Sequence, residues 1–257
     1  MTLKYFSFLL FLSLTTNQTI SQTITVNKLL ENTKKTISNI KYVTYKINRT
    51  DKFFSSQDTI SNISLCTLYL HQKNKLELMY ITTKKSGSDS YNYEIFNGNE
   101  YSFINIPKDI NLKSRNLFHQ KLENDNYMYV NSNINVICLE LFSKKSIFNK
   151  IKKNKNYKII ETKYLNIPAF ELTITNKENT TEEIKDSVEK YFISKKDYLP
   201  LGYYFTGTID GMFGYENYTI EYIEINPNMA PENFKTFDRI DQVNKKNILE
   251  NILNHSL

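Results

Sequence analysis

The residue types that carry most enzyme chemistry are scarce in this chain and badly spaced for it. His71, His119 and His255 are the only histidines, and none stands near another, so a zinc site would have to gather ligands from distant segments. The sequence contains no HExxH, no GxSxG and no phosphate-binding glycine loop. Asp197 and Asp210 fall in short polar breaks and Glu221 on the polar side of an alternating run, where turn forming or plain exposure is the expected role. Cys66 and Cys138 each sit among apolar neighbours. They are either an exported protein's disulfide or ordinary buried thiols, and with no CxxC they do not form a thiol-exchange pair. Lys144, Lys145, Lys150, Lys152 and Lys153 open the one dense basic cluster, which runs on to Lys158. It reads as a solvated helix end and loop, or as a contact for anionic headgroups or an acidic partner. No catalytic residue, metal or cofactor is expected.

Composition points the same way. The 257 residues are 40% hydrophobic and 14% aromatic, with 19 Tyr, 16 Phe and no Trp, enough to bury one large core with hydroxyls at its rim. The net charge of +6 is too evenly spread for nucleic-acid binding, which wants a basic face with ordered stacking aromatics. Lys4 followed by the apolar run Tyr5 to Leu14 and a polar stretch to Ser21 has the make-up of a cleaved secretory signal, so residues 1–21 are assigned to it. No Cys lies near that cleavage point to take a lipid anchor. The mature chain is expected to be exported and soluble.

The elements that would position any site are mostly strands. Val26 to Ile40 carries Val26, Leu29, Leu30, Thr33, Ile37 and Ile40 at helical spacing behind a Thr25 cap. Strands follow at Lys41 to Thr50, Ile63 to His71, Lys75 to Thr83, Tyr91 to Phe96 and Glu100 to Ile106, the last two joined by Asn97-Gly98-Asn99, a strong hairpin signal. Asn111 to Asn126 is read as a helix, and Ile134, Ile137, Cys138 and Leu141 as a second one that Phe148 and Ile151 extend. Tyr157 to Leu165 and Ala169 to Thr175 form a hairpin around Asn166-Ile167-Pro168. A meander from Val188 to Asn226 follows, with Leu201, Tyr203, Phe205 and Ile209 on one face and Tyr218, Ile220 and Tyr222 alternating likewise. Phe234 and Phe237 are expected to close the sheet edge, and residues 238–257 to form a weakly amphipathic helical tail. The fold class is mainly β within α+β: an unclosed antiparallel half-barrel with helices over its concave face.

Two stretches carry a family likeness. Lys75-Leu76-Glu77-Leu78 followed by Tyr93-Glu94-Ile95-Phe96-Asn97-Gly98-Asn99-Glu100-Tyr101, and Tyr191-Phe192-Ile193-Ser194-Lys195-Lys196-Asp197-Tyr198-Leu199-Pro200-Leu201, resemble the hairpins of the periplasmic lipoprotein-carrier superfamily, the LolA-like and LolB-like half-barrels, in the form found in exported Bacteroidota proteins. The resemblance spans residues 22–237 and implies a cavity between sheet and helices that takes a lipid or acylated ligand. Arg49 is the only Arg of the first strand group and stands at a strand end, a departure from the carriers. No thioredoxin-like domain follows, so a stand-alone module is expected. The cavity candidates are Tyr42, Leu78, Tyr80, Phe96, Ile137, Leu141, Leu201, Tyr203, Phe205 and Tyr222. The expectation is a periplasmic, non-catalytic carrier able to touch a membrane peripherally, with no nucleic-acid partner. The alternative is an envelope assembly module that holds a protein partner by a sheet edge or the Lys144 to Lys158 cluster.

Overall fold

A computed structural model describes residues 24–71, 75–85, 87, 90–96, 100–107, 117–121, 142, 144–154, 156–176 and 184–226. Helix α1 (Val26–Ser38) starts where Thr25, in extended conformation, turns its hydroxyl to accept from Lys28 N at 3.3 Å. Val26, Leu29, Leu30, Thr33 and Ile37 are buried along one stripe, as their spacing requires. Each of the larger aliphatic residues contributes about 1.5–3 kcal/mol by leaving water.

Eleven strands follow: β1 (Tyr42–Lys52), β2 (Ile60–His71), β3 (Lys75–Lys85), β4 (Ser90–Phe96), β5 (Glu100–Pro107), β6 (Leu117–Lys121), then, after α2 (Lys144–Asn154), β7 (Tyr157–Tyr164), β8 (Ile167–Asn176), β9 (Lys185–Ser194), β10 (Pro200–Ile209) and β11 (Met212–Ile225). They form one antiparallel sheet in the order β6-β5-β4-β3-β2-β1-β11-β10-β9-β8-β7. The chain therefore winds outward from β1 to one edge, crosses by way of α2 to the other, and winds back until β11 pairs with β1. Among the described residues the edge strands β6 and β7 do not pair, so the barrel is unclosed, as expected. Asn226 fastens the returning end: its Oδ1 accepts from Lys41 N at 2.6 Å and Tyr42 N at 3.2 Å, and its Nδ2 donates to Asn39 O at 2.9 Å.

Two expectations change, and one left open is narrowed. The Asn111 to Asn126 stretch holds a strand, not a helix: Leu117–Lys121 pairs with β5, where the free hydrogen-bonding row of a sheet edge outweighs weak local helical preference. The β7–β8 turn is Leu165-Asn166, with φ of 51° and 65°, and Pro168 lies inside β8 opposite Lys163. Its carbonyl accepts from Lys195 N at 3.0 Å. Cys66 is a free, fully buried thiol whose pKa burial pushes up; Cys138 lies outside the described residues. So do the helix proposed over Ile134 to Leu141, the signal segment, and the closing Phe234, Phe237 and tail. The Asp210-Gly211 turn has the positive φ values, 50° and 79°, of a tight hairpin reversal.

The core lies on one face of the sheet. Val43, Tyr45 and Ile47 of β1, Cys66 and Leu68 of β2, Met79 and Ile81 of β3, Phe96 of β4, and Leu172, Tyr191, Ile193, Tyr203, Tyr218 and Ile220 of the second half pack with α1 and with Phe142 and Ile147. On the opposite face Tyr164 stacks on Phe192 at 4.0 Å and donates to Tyr218 O at 3.2 Å. It lies so close over Gly202 that a Cβ there would collide with its ring.

Candidate functional site

Strand register arranges the helix-bearing face in cross-strand rungs. Beginning at the α1 end, β1 contributes Val43, Tyr45 and Ile47, whose partners on this face are Leu68, Cys66 and Ser64 of β2 and Ile225, Tyr222 and Ile220 of β11. These rungs are almost wholly apolar. The next rung differs: Arg49 pairs with Tyr218, Tyr218 with Tyr203 and Tyr203 with Tyr191. The rings stand 5.8 Å and 5.2 Å apart, and the Arg49 guanidinium lies 5.1 Å from the Tyr218 ring centre. One rung further, Asp51 pairs with Glu216, Glu216 with Phe205 and Phe205 with Glu189.

The two rungs are joined along each strand, because residues two apart share a face. Arg49 Nε is 2.5 Å from Asp51 Oδ2, Tyr218 donates to Glu216 Oε2 at 3.3 Å, and Tyr191 and Tyr203 both donate to Glu189 Oε2, at 2.5 and 3.4 Å. Helix α2 adds a cation: Lys150 Nζ lies 2.5 Å from Glu189 Oε2 and 3.3 Å from the Tyr191 hydroxyl. Burial, reinforced by these carboxylates, raises the pKa of all three tyrosines, so they stay neutral donors. Burial also raises Asp51, by more than Arg49 lowers it. Beyond the carboxylates the face ends in a Gly207–Gly214 pair, with Ile184 over one glycine and the Phe54 ring over the other.

Of the cavity candidates, Phe96 and Tyr203 belong to this core, and Phe205 and Tyr222 pack against it half-buried. Tyr222 donates to Pro200 O at 2.8 Å and lies 6.2 Å from the Tyr45 ring. Leu201 is buried but sits at the bulge between Pro200 and Gly202, outside that cluster. Tyr42 and Tyr80 are corrected to the outer face: Tyr42 stacks on Tyr69 at 4.6 Å, and Tyr80 opposes Thr67, both out of phase with the Val43, Leu68 and Ile81 set. Leu78 opposes Tyr69 in register, and Ile137 and Leu141 lie outside the described residues.

The basic cluster is partly used within the fold. Lys144 bonds Glu31 of α1 at 2.8 Å and lies over the Phe148 ring, and Lys150 is held by Glu189, while Lys145 and Lys152 are exposed. Lys153 belongs to α2, its side chain outside the described residues. Asp197 is a turn former, its Oδ1 accepting from Leu199 N at 3.2 Å; Asp210 occupies a turn and Glu221 is exposed.

The carboxylates of the polar rungs were not among the sequence candidates. Their signal was present in Glu189-Lys190-Tyr191, Glu216-Asn217-Tyr218 and Arg49-Thr50-Asp51, three acid-bearing pairs at the two-residue spacing that puts both members on one strand face. Among the described residues, no three His, Cys, Asp or Glu side chains converge as metal ligands, and no helix is long and apolar enough to cross a membrane.

The face thus belongs to an unclosed half-barrel with an apolar middle and a hydrogen-bonded polar margin. No family model and no curated protein matches the chain. Solved structures similar to it include MucB, at 8% identity and TM-score 0.40, covering 85% of this chain and 62% of that one. A LolA superfamily protein from Nitrosomonas europaea is similar at 7% identity and TM-score 0.31, covering 82% and 96%. A putative outer membrane lipoprotein-sorting protein domain from Vibrio parahaemolyticus is similar at 9% and 0.28, covering 86% and 97%. The chain thus spans about three fifths of the MucB chain.

Proposed function

We propose that the chain is an exported, periplasmic, non-catalytic binding protein that holds a lipid or another hydrophobic ligand between its sheet and the covering helices. The observation that carries this is a mismatch of sizes. Eleven strands at about 4.8 Å spread the sheet over roughly 50 Å. The described helices, of 13 and 11 residues, are only about 20 Å and 16 Å long and about 10 Å across. They roof part of that face and leave the rest for other segments and an apolar guest. The partly buried Phe205 and Tyr222 of the sheet and Phe148 and Ile151 of α2, which pack against the core without being closed over, offer such a guest aliphatic and aromatic contacts. Export follows from the signal-like residues 1–21, and the family likeness favours a carrier.

The test is to purify the mature protein from the periplasm, extract it for lipid mass spectrometry, and titrate the delipidated protein with a fluorescent fatty acid. Co-purified lipid and saturable one-to-one binding are expected. A lipid-free extract together with no fluorescence change overturns the proposal.

A further inference from the structure

We infer that the ligand carries a positively charged amine headgroup, received at the Asp51–Glu216 pair with its apolar chain starting against the half-buried Phe205 of the same rung. This rests on the carrier reading above and names the chemistry of its ligand.

Four observations support it. First, the carboxylate rung is positioned at the margin of the apolar face, one step beyond the tyrosines, with the half-buried Phe205 directly across from Glu216 as an apolar neighbour. Second, Asp51 is 3% exposed, its Oδ2 lies on the Arg49 side, and its Oδ1 has no hydrogen-bond partner. An unsatisfied buried carboxylate oxygen is a costly feature, and a donor from a ligand would relieve it. Third, Glu216 is the direct cross-strand partner of Asp51 and is only half-buried, so it forms the accessible side of the same pair. Fourth, the two rungs already hold cations in this manner. The Lys150 ammonium sits on Glu189 against the Tyr191 hydroxyl, and the Arg49 guanidinium lies over the Tyr218 ring.

Charge balance sets the sign of the ligand. These rungs carry Glu189, Glu216 and Asp51 against Lys150 and Arg49, one negative charge in excess. A carboxylate or phosphate headgroup without its own amine would meet like charge there. A metal ion fits poorly, since neighbouring strands lie about 4.8 Å apart and Glu189 stands two strands from Glu216, so the three acids do not converge on one point. An ammonium needs only acceptors on one side, which Asp51 and Glu216 supply as one cross-strand pair.

The experiment uses the delipidated mature protein and three probes of equal chain length, dodecylamine, dodecanol and dodecanoate, measured by calorimetry at neutral pH below their aggregation limits. Dodecylamine should bind about tenfold more tightly than either of the others, and Glu216→Gln and Asp51→Asn should each remove most of that preference while leaving dodecanol affinity in place. Circular dichroism melts confirm that the variants are folded, and dodecanol binding reports that the apolar face is intact in each. Equal affinity for the three probes, or a preference that survives both substitutions, overturns the headgroup assignment and leaves the carrier reading standing. Binding of none of the three overturns both.

Discussion

The α1 end and the far end of the same sheet face are built from the same strands, yet they are held together differently. At Tyr45 and Ile47 the contacts are those of a packed core: both are fully buried among Leu68, Leu29 and Ile220, and the Cys66 thiol fills a gap as a small apolar group. Two residues further along β1, at Arg49 and Asp51, packing gives way to rings whose hydroxyls reach for carboxylates. The first region derives its stability from area removed from water and has no directional demand. The second buries charge, and keeps it only because each carboxylate meets a hydroxyl or a cation.

The division can be broken from either side. The largest effect is expected at the apolar end, where Ile47→Ala should cost about 2–5 kcal/mol of unfolding free energy, seen in denaturant melts, since the fully buried site cannot collapse around the loss. At the polar end Glu189→Gln keeps the shape but removes the charge that Lys150 faces. Because the Lys150 side chain is 35% exposed, the loss should be about 1 kcal/mol, with α2 amides exchanging hydrogen faster. If Glu189→Gln cost as much as Ile47→Ala, the distinction between the two ends would fall.

The smallest effect is a pH dependence at Asp51. Its folded pKa lies above the ordinary 3.8, so the folded protein holds that proton more tightly than the unfolded chain does. This contribution to stability is fully present below the unfolded value and is lost as pH rises through the raised folded value. Asp51→Asn removes it, so the stability difference, wild type minus variant, should decline as pH rises above 3.8 and then level off, in denaturant midpoints taken from about pH 3 to about pH 7. A difference that rises with pH would mean that Arg49 outweighs burial at this site.

Much of the fold was legible because the signals were local. Thr25 and the Val26 to Ile37 stripe specify α1, and alternation in Tyr42 to Ile47 and Leu201 to Phe205 specifies strands. Alternation alone does not say which set faces inward, and Tyr42 was chosen where Val43, Tyr45 and Ile47 form the inner set; the aromatic ring that marked Tyr42 stacks on Tyr69 instead. The site was less legible. Glu189, Glu216 and Asp51 each stand beside a partner two residues away, but their alignment across β9, β10, β11 and β1 exists only once register joins the end of the chain to its beginning. The β6 strand was missed for the same reason, since what holds it is the edge of β5 and not its own composition.

Native mass spectrometry of the protein purified without detergent is the most direct test that it carries an amphiphile. A second population heavier by one amphiphile is expected, which collisional activation removes and fragmentation identifies as amine-bearing. A single population at the apo mass, unchanged when lipid extract is added back, would contradict it.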